Sequence, residues 1–385
     1  MLYYSGNKYL ILEAAVLGSI KRFIKKEAVF CISALCAAVT MIAVPPDSEY
    51  LGYIDFRVLC LLFSLMAVVA GFKKAGAFGW LTGCLLRRIK SGRLLGVTLV
   101  MLPFFCSMLI TNDVALLIFV PFTVALLAKL GCEKSLIPLL VLQTVGANLG
   151  SMATPVGNPQ NLFIYSAYDL SAGDFFSVTL PLTAVSFLVL CASSVPVMPR
   201  NLPQRENESE TITGKGKLII YSVLFVLCLL TVFKLVHYLV TAAVIIAVLL
   251  VAERKLLREV DYMLLLTFVC FFVISENLGR IEGVSIFLQS ILSKSTLLTA
   301  VGTSQIISNV PAAVVLSGFT DNWKDLLAGV NIGGLGTPIA SLASIITLKL
   351  YMNSGSSNVL KFLGVFLLFN VIGLAVLLAF AFITS

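Results

Sequence analysis

Long apolar segments alternate with short polar ones along the whole chain. The apolar residues run continuously and do not alternate with polar ones, which favours membrane-spanning helices over the strands of a β-barrel. A segment of about 20 apolar residues crosses the ~30 Å hydrocarbon core of a bilayer. The pattern therefore predicts an all-α polytopic membrane protein. Uninterrupted spans are predicted at 28–44, 54–72, 174–197, 218–234, 236–252, 261–276 and 358–382.

Two further apolar segments are predicted to fold back around a polar tip. The first has the tip TND (111–113), and the second, 296–318, has the tip SNVP. The two arms of the second segment, about 12 and 8 residues, reach only about 18 and 12 Å, so neither crosses the membrane. We expect a re-entrant hairpin there. The first segment has longer arms, so two full spans with TND as an outside turn are an alternative to a second re-entrant hairpin.

Two other helices are predicted to be broken. The helix that begins near residue 135 runs into VGANLGSMATPVGNPQN (145–161), and the segment 325–350 contains NIGGLGTP (331–338). Glycine and proline interrupt a helix, and unwound backbone is tolerated at membrane depth only against protein or a water-filled cavity. We expect the two hairpin tips and the two breaks to surround one polar pocket near the bilayer centre.

The basic residues predict the orientation of the chain. With the N-terminus in the cytoplasm, 22 of the 27 Lys and Arg residues fall on the cytoplasmic side, where such residues are in excess in membrane proteins. The net charge of +8 therefore indicates membrane orientation and not nucleic-acid binding. The first span is expected to be an uncleaved anchor in a bacterial-type inner membrane, and the middle of 73–93 to lie along the interface. The residues predicted outside are Arg57, Lys234, Arg280, Lys294 and Lys324.

The two halves of the chain resemble each other. Residues 107–120 align with 304–317, and residues 146–156 align with 329–339. In the predicted topology the first hairpin enters from the cytoplasm and the second from outside. The repeats are therefore expected to be inverted, with 218–234 as the odd helix, an architecture that recurs in secondary transporters. The coinciding polar and backbone-shaping pairs are Gly146/Gly329, Asn148/Asn331, Gly150/Gly333, Thr154/Thr337 and Pro155/Pro338.

The residues at the interruptions are predicted to form the ligand site. Half-helix N-termini attract anions and exposed carbonyls attract cations, while Asn and Thr add hydrogen-bonding groups without a permanent charge. Small-residue packing, GxxxG-like at Gly146 and Gly150, is the alternative; it explains the glycines but not the repeated Asn and Thr-Pro. The predicted substrate-binding residues are Thr111, Asn112, Asn148, Thr154, Pro155, Asn158, Ser308, Asn309, Asn331, Gly333, Thr337 and Pro338. The predicted ion-coupling residues are Asn112, Asp113, Gly146, Ser308 and Asn309, and a Na⁺ ion is expected near Asn112, Asp113 and Asn148.

Asp113 is the one acid among nineteen that we place deep in the membrane. A carboxylate is costly there, so it either takes up a proton or binds a cation, because no intramembrane Lys or Arg is predicted beside it. A carboxylate that caps the second helix of the hairpin is the alternative, and both roles can hold together.

These motifs resemble the ion transporter superfamily, which includes arsenite efflux permeases, bacterial sodium–proton antiporters and citrate or dicarboxylate transporters. The resemblance extends over nearly the whole chain after residue 28. It rests on LITNDVALLIFVPF, GANLGSMATPVGNPQN, SNVPAAVVL and NIGGLGTP, and the TND tip is most similar to the arsenite-permease and antiporter branch. The resemblance implies a scaffold that forms a homodimer and a transport domain that moves as an elevator.

The resemblance also implies how the chain is divided. It gives a cytoplasmic N-terminus (1–27), scaffold helices (28–93) and a transport part (94–197) in the first repeat. A cytoplasmic linker (198–217) follows. The second repeat has linking and scaffold helices (218–293) and its own transport part (294–385).

The hairpin tips depart from one branch of the superfamily. In dicarboxylate transporters each tip carries Ser-Asn-Thr, which helps to bind sodium and carboxylate, whereas here Asp113 and Val310 occupy the third positions. The tips therefore fit sodium-coupled dicarboxylate uptake less well than proton-coupled transport. Without a basic residue in the pocket, an anion must be held by helix ends and amides, and a neutral ligand such as arsenous acid fits equally well.

The sequence thus favours a secondary transporter of a small anion or oxyacid, coupled to protons or sodium, with a sodium–proton antiporter or a channel-like anion permease as alternatives. An enzyme is disfavoured, since the single histidine lies at a span end and GxSxG and HExxH motifs are absent from the sequence. We expect no cofactor besides Na⁺ or H⁺ as coupling ion. A separate ATPase subunit, which arsenite permeases can recruit, is a conceivable partner, and nucleic acid is not.

Overall fold

A computed structural model describes residues 27–77, 91–200, 215–354 and 358–384, together with Phe23, Trp80 and Ile89. Every regular element in these ranges is a helix. The first half contains α1 (Ala28–Ala43), α2 (Phe56–Lys74), α3 (Gly92–Cys106), α4 (Asn112–Lys129), α5 (Leu136–Ser151), α6 (Pro159–Ala167) and α7 (Ala172–Ser194). The linking helix is α8 (Lys215–Val232). The second half contains α9 (Tyr238–Glu253), α10 (Tyr262–Arg280), α11 (Glu282–Lys294), α12 (Thr296–Ile307), α13 (Asn309–Ser317), α14 (Trp323–Ile332), α15 (Leu342–Asn353) and α16 (Val359–Thr384).

Several of these helices have the length and composition of membrane spans. Among the described residues, α2, α4, α7 with its 3₁₀ extension to Val197, α10 and α16 are each long and apolar enough to cross a bilayer. A sixth candidate is the pair formed by α11 and α12, which is bent by 119°. The sequence prediction of a polytopic helical membrane protein is confirmed at this level.

All four predicted interruptions occur where the polar motifs lie. The chain reverses between α3 and α4 before Thr111, the N-cap of α4, and between α12 and α13 at Ser308. The helix α5 ends at Ser151 and α6 starts at Pro159, while α14 ends at Ile332 and α15 starts at Leu342. The helix breaks are thus confirmed, whereas the entry of each hairpin from one side of a membrane stays a prediction.

The structure corrects the sequence prediction in the second half. The span predicted at 261–276 extends to Arg280, and α11 (Glu282–Lys294) had not been predicted at all. The missed helix is amphipathic, with polar residues such as Gln289 among the apolar ones, so it lacks the continuous apolar run by which spans are recognised. The prediction that the middle of 73–93 follows the interface falls largely outside the described residues.

The chain forms two compact units. The smaller one contains α1, a 3₁₀ turn at Ser48–Tyr53, α10 and the first residues of α11. Within it, the Arg280 guanidinium donates to Asp47 Oδ2 and to Tyr53 Oη, both at 2.7 Å. These bonds fix the turn after α1 to the end of α10.

The larger unit contains two groups of packed helices. In one group, α2 packs against α8 and α9; the Tyr221 ring lies against Gly71, and the Glu253 carboxylate joins Lys74 and Lys217 at 2.8 and 2.5 Å. The other group surrounds the breaks and has a core of buried aliphatic and aromatic side chains from α3, α4, α5, α7 and the last helices of the chain.

Helix packing in the second group follows the same plan in both halves. The first hairpin helix packs on the first half-helix of its own repeat: α3 on α5, and α12 on α14. The second hairpin helix contacts the half-helix after the break in the other repeat: α4 meets α15, and α13 meets α6. The two halves are therefore interlocked at the breaks, in agreement with the internal repeat found in the sequence.

Candidate functional site

Two asparagines lie at the ends of the interrupted helices. Asn148 is in the last turn of α5 and Asn331 in the last turn of α14, and their side chains are 5% and 3% exposed. Both amides donate to and accept from groups of other segments, and Asn331 Nδ2 also donates to the Leu327 carbonyl of its own helix, so the buried polar side chains have partners.

Each asparagine is bound by the residue that starts the half-helix of the other repeat. Ser341, the N-cap of α15, donates its hydroxyl to Asn148 Oδ1 at 3.0 Å. Asn158, the N-cap of α6, donates Nδ2 to Asn331 Oδ1 at 3.2 Å. Asn158 lies ten residues after Asn148, and Ser341 lies ten residues after Asn331. The two contacts therefore join corresponding positions of the two repeats. This reciprocal pair joins the two breaks into one site.

The first hairpin tip reaches the same network. Asn112 Nδ2 donates to Asn148 Oδ1 at 2.8 Å, and Asn148 Nδ2 donates to the carbonyl of Gly334 at 3.3 Å. Asn148 therefore connects the first hairpin with the unwound backbone of the second repeat. The sequence prediction that Asn112, Asn148, Asn158 and Asn331 lie together matches this geometry, while ligand binding by them stays a prediction.

Asn161 is a member of the network that sequence reasoning missed. Its Oδ1 accepts a hydrogen bond from Asn331 Nδ2 at 2.7 Å, and its Nδ2 donates to the carbonyls of Met152 and Thr154 at 3.2 Å. The side chain is completely buried. The available signal was its spacing, since a residue three positions after the N-cap Asn158 lies on the same helix face.

The threonines of the two Thr-Pro motifs have matching roles. The Thr154 hydroxyl donates to the carbonyl of Met108, and the Thr337 hydroxyl donates to the carbonyl of Gln305 at 3.1 Å. Both acceptors lie three residues before a hairpin tip. The hydroxyls thus tie each break to the hairpin of its own repeat. Pro155 is buried beside Thr154, and Pro338 is partly exposed.

Gln305 is a second residue that the sequence analysis missed. Its Nε2 donates to the carbonyls of Gly333 and Leu335, both at 2.9 Å, and its Oε1 accepts from the Thr337 backbone N–H at 2.8 Å. Gly336 has a φ of +110°, and a Cβ there would collide with the Gln305 side chain. The amide therefore satisfies three backbone groups that the helix break leaves open.

The second hairpin tip is held in a strained conformation. Ser308 has a φ of +75°, which non-glycine residues rarely adopt. Its hydroxyl donates to the carbonyl of Ala340 at 3.3 Å, and the Asn309 backbone N–H donates to the same oxygen at 3.0 Å. The tip therefore lies directly against the start of α15.

Asp113 lies in the first turn of α4 and is partly exposed. Its backbone N–H donates to Asn112 Oδ1 at 3.0 Å, and the same Asn112 side chain donates to Asn148 in the network. The carboxylate is close to a helix N-terminus, where a negative charge is favoured. Both the coupling role and the capping role predicted for Asp113 are compatible with this position.

The glycines of α5 serve close packing. A Cβ at Gly150 would collide with the carbonyl of Phe104 in α3, and one at Gly146 would lie 3.2 Å from the carbonyl of Val100. In the second repeat, Gly333 is similarly close to Ser304 in α12. The small-residue alternative therefore accounts for these glycines, while the asparagines form the polar network. The predicted ion-coupling role of Gly146 remains a prediction.

The network is made of neutral groups. Its side chains are amides and hydroxyls, and Asp113 is the ionisable group at the edge that the first hairpin contributes. In the described part of the chain no group of three His, Cys, Asp or Glu side chains could hold a metal ion. The site is suited to polar ligands that make several hydrogen bonds.

Comparison with known proteins identifies the family. Residues 15–321 match the profile of the citrate transporter family, which is well over half of the chain. The chain belongs to this family. The match runs through both hairpins and the first break. The resemblance to the ion transporter superfamily is confirmed.

Relatives point to the same class. The chain is 33% identical to an uncharacterized transporter of Methanocaldococcus jannaschii over 334 residues, 86% of this chain and 91% of the relative. It is 30% identical to the inner membrane protein YbiR of Escherichia coli over 300 residues, 77% and 80% of the two chains. A shorter match, 36% over 151 residues, covers 38% of this chain and 30% of the silicon efflux transporter LSI3 of Oryza sativa. The citrate transporter family member described here is a multi-pass membrane transporter.

Proposed function

We propose that this transporter moves a small anion or oxyacid by secondary active transport, with protons or sodium as the coupling ion. The observation that supports this most strongly is the reciprocal bonding of Asn148 and Asn331 by the helix starts at Ser341 and Asn158. It creates a site whose two sides come from two similar halves. A site between two such halves suits alternating access, in which one face opens and then the other.

The transport mechanism that we propose is an elevator. The proposal rests on the predicted inverted topology and on the packing of the hairpins with the broken helices in one group. In this mechanism the group moves across the membrane against scaffold helices. An N-terminus in the cytoplasm, a homodimer and recruitment of an ATPase subunit belong to the same proposal.

For the substrate we favour an oxyacid that is neutral or carries few charges. Amide and hydroxyl groups form the network, and such groups satisfy hydroxyl-rich ligands without a balancing cation. A multiply charged carboxylate would have to rely on the N-termini of α6 and α15 for compensation. The Oryza sativa relative is named a silicon efflux transporter, which is consistent with this class.

A sodium–proton antiporter is the second candidate, and Asp113 is the observation that favours it. A carboxylate at a hairpin tip, one residue from the network, could exchange a proton for a cation. A channel-like permease is the third. It would share the site but would show neither saturation nor coupling.

The test is flux in proteoliposomes that contain the purified full chain. Arsenite, silicic acid, citrate and succinate are supplied in turn, with a pH gradient, a sodium gradient or neither. We expect saturable movement of an oxyacid that a gradient accelerates. Sodium–proton exchange without any effect of these solutes would favour the antiporter, and non-saturable flux insensitive to both gradients would contradict the proposal.

A further inference from the structure

A cluster of charges lies at the far end of the half-helix α6. Lys234 Nζ is 2.7 Å from Asp169 Oδ1 and donates to the carbonyl of Leu170 at 3.0 Å. Arg57 Nη1 is 3.7 Å from the same carboxylate oxygen. Lys234 Nζ also lies over the Tyr165 ring, 5.5 Å from its centroid, in the geometry of a cation–π contact. Four interactions thus converge on one end of α6.

The partners in this cluster come from both groups of helices in the larger unit. Asp169 and Leu170 follow α6, whose opposite end carries Asn158 and Asn161 of the polar network. Arg57 is in the first turn of α2, and Lys234 follows α8. The cluster therefore joins a helix of the site to the helices that pack outside it.

Backbone geometry at the cluster is unusual. Asp169 and Lys234 have φ values of 49° and 64°, and with Ser308 they are the non-glycine residues with positive φ in the described ranges. Each residue ends its helix with the same pair of backbone hydrogen bonds. After α6, the Asp169 N–H donates to the Ser166 carbonyl and the Leu170 N–H to the Tyr165 carbonyl. After α8, the Lys234 N–H donates to the Thr231 carbonyl and the Leu235 N–H to the Leu230 carbonyl. Glycine is the usual residue at such positions. The charged side chains are kept there in spite of the strain, and the ammonium faces the negative end of the α6 dipole.

The same end of α6 is bonded to the second hairpin. The Tyr168 hydroxyl contacts two carbonyls, those of Ser317 at 3.1 Å and Thr320 at 2.7 Å, at the end of α13. A displacement of α6 would therefore carry α13 with it. Such a displacement must break the polar contacts of Arg57 and Lys234 as well as the packing of α2 on α6.

We propose that Arg57, Lys234 and Asp169 form a latch that holds α6 against α2 and α8 in this conformation. The latch also holds the polar network that α6 carries, and it releases during transport. This inference rests on the proposed elevator function and adds to it the contact that regulates the movement. The predicted topology places Arg57 and Lys234 on the outside, so the latch would hold the site from that side.

The strength of the latch suits a reversible contact. Asp169 is 79% exposed and Arg57 44% exposed, and ion pairs at such positions are weak and screened by salt. The hydrogen bond from Lys234, followed by its charge, lowers the pKa of Asp169 below its usual value of 3.8. A lowered pKa means that the ion pair is present above pH 3.8 and is lost only at more acidic pH. The latch is therefore expected to respond to ionic strength and not to pH near neutrality.

Hydrogen exchange of the full chain in detergent tests the latch without any substrate. We expect backbone amides of 158–170 to exchange about two- to five-fold faster in Asp169→Asn and in Lys234→Met than in the wild type, as loss of an exposed ion pair implies. The wild type should lose the same protection at high ionic strength, and Asp169→Asn, which removes both ion pairs, should not respond to salt. Lys324→Gln, which removes another predicted outside charge, is the control and should change nothing in this segment. Unchanged exchange in both variants and in the wild type at high salt would overturn the latch.

A double-mutant cycle in proteoliposomes then tests release during transport. We expect the combination to change turnover by clearly less than the product of the two single effects, because both variants remove the Lys234–Asp169 ion pair that they share. Additive effects, or no effect, would show that release is not part of the cycle. A failure of the proposed function is distinguishable, since no solute would then move in the wild type while the hydrogen-exchange result would stand.

Discussion

At the scale of single residues, the site depends on asparagines whose amides bond across the repeat. Asn148 accepts from Asn112 and Ser341, and Asn331 exchanges bonds with Asn158 and Asn161. Neutral amides can donate and accept at once, so they can switch between partners in the protein and a ligand at small cost. The network is consistent with a site that opens to bind.

Replacement of Asn148 or Asn331 with alanine should weaken substrate binding. Each change removes an amide that bonds to two or more buried partners, and one lost bond corresponds to about 1 kcal/mol, or roughly a five-fold loss of affinity. The measurement is the ligand-induced rise in melting temperature, which reports binding to the folded state. Asn370→Ala in α16 is the matched control, since Asn370 is also buried but bonds within its own helix. Unchanged affinity in both site variants would leave the asparagines with a packing role only.

Replacement of Asp113 with asparagine should abolish coupled transport in a protein that still folds. Asparagine keeps the size of the side chain but can no longer take up a proton or balance a cation. Flux under a pH gradient and under a sodium gradient measures the effect, with Glu133→Gln in the turn between α4 and α5 as the control. If the variant retains its dependence on both gradients, Asp113 has only the capping role.

At the scale of helices, each break is held by groups from its own hairpin. In the second repeat Gln305 bonds to Gly333, Leu335 and Thr337, whereas the equivalent position in the first repeat is Met108, which offers a backbone carbonyl to Thr154. The second break therefore depends on a side chain of its hairpin, whereas the backbone of the first break is bonded by Asn161 of α6.

Replacement of Gln305 with leucine should lower the free energy of unfolding by about 2–3 kcal/mol, because three hydrogen bonds to backbone groups are lost. The change should also speed hydrogen exchange at 333–341. Met108→Leu, the matched change in the first repeat, should leave both quantities nearly unaltered. A Gln305→Leu variant as stable and as protected as the wild type would contradict this role.

The helices themselves show what the sequence could and could not predict. The breaks were predictable because Gly, Pro and Asn stand out within apolar segments, and the internal repeat indicated that the two breaks correspond to each other. The helix α11 was not predictable as a span, since its amphipathic pattern lacks a long apolar run. Gln305 was missed for another reason: a single polar residue in a helix gives no sign of the distant backbone groups that it meets on folding. Asn161 had one signal, its spacing from Asn158, but that spacing does not reveal which carbonyls it bonds.

At the scale of the molecule, two similar halves contribute equivalent contacts to one site. The crossing of α4 onto α15 and of α13 onto α6 makes each half complete the other. The membership in the citrate transporter family and the transporter relatives agree with this arrangement. Transport as proposed here requires a ligand site that lies between the two breaks and contacts both.

A cryo-electron microscopy map of the full chain in lipid nanodiscs, with a transported oxyacid present, would show where the ligand lies. We expect ligand density within hydrogen-bonding distance of Asn148 and Asn331 or of their partners, and a hairpin at 296–318 that turns back inside the bilayer. Ligand density away from both breaks, or a segment 296–318 that crosses the bilayer completely, would contradict this expectation.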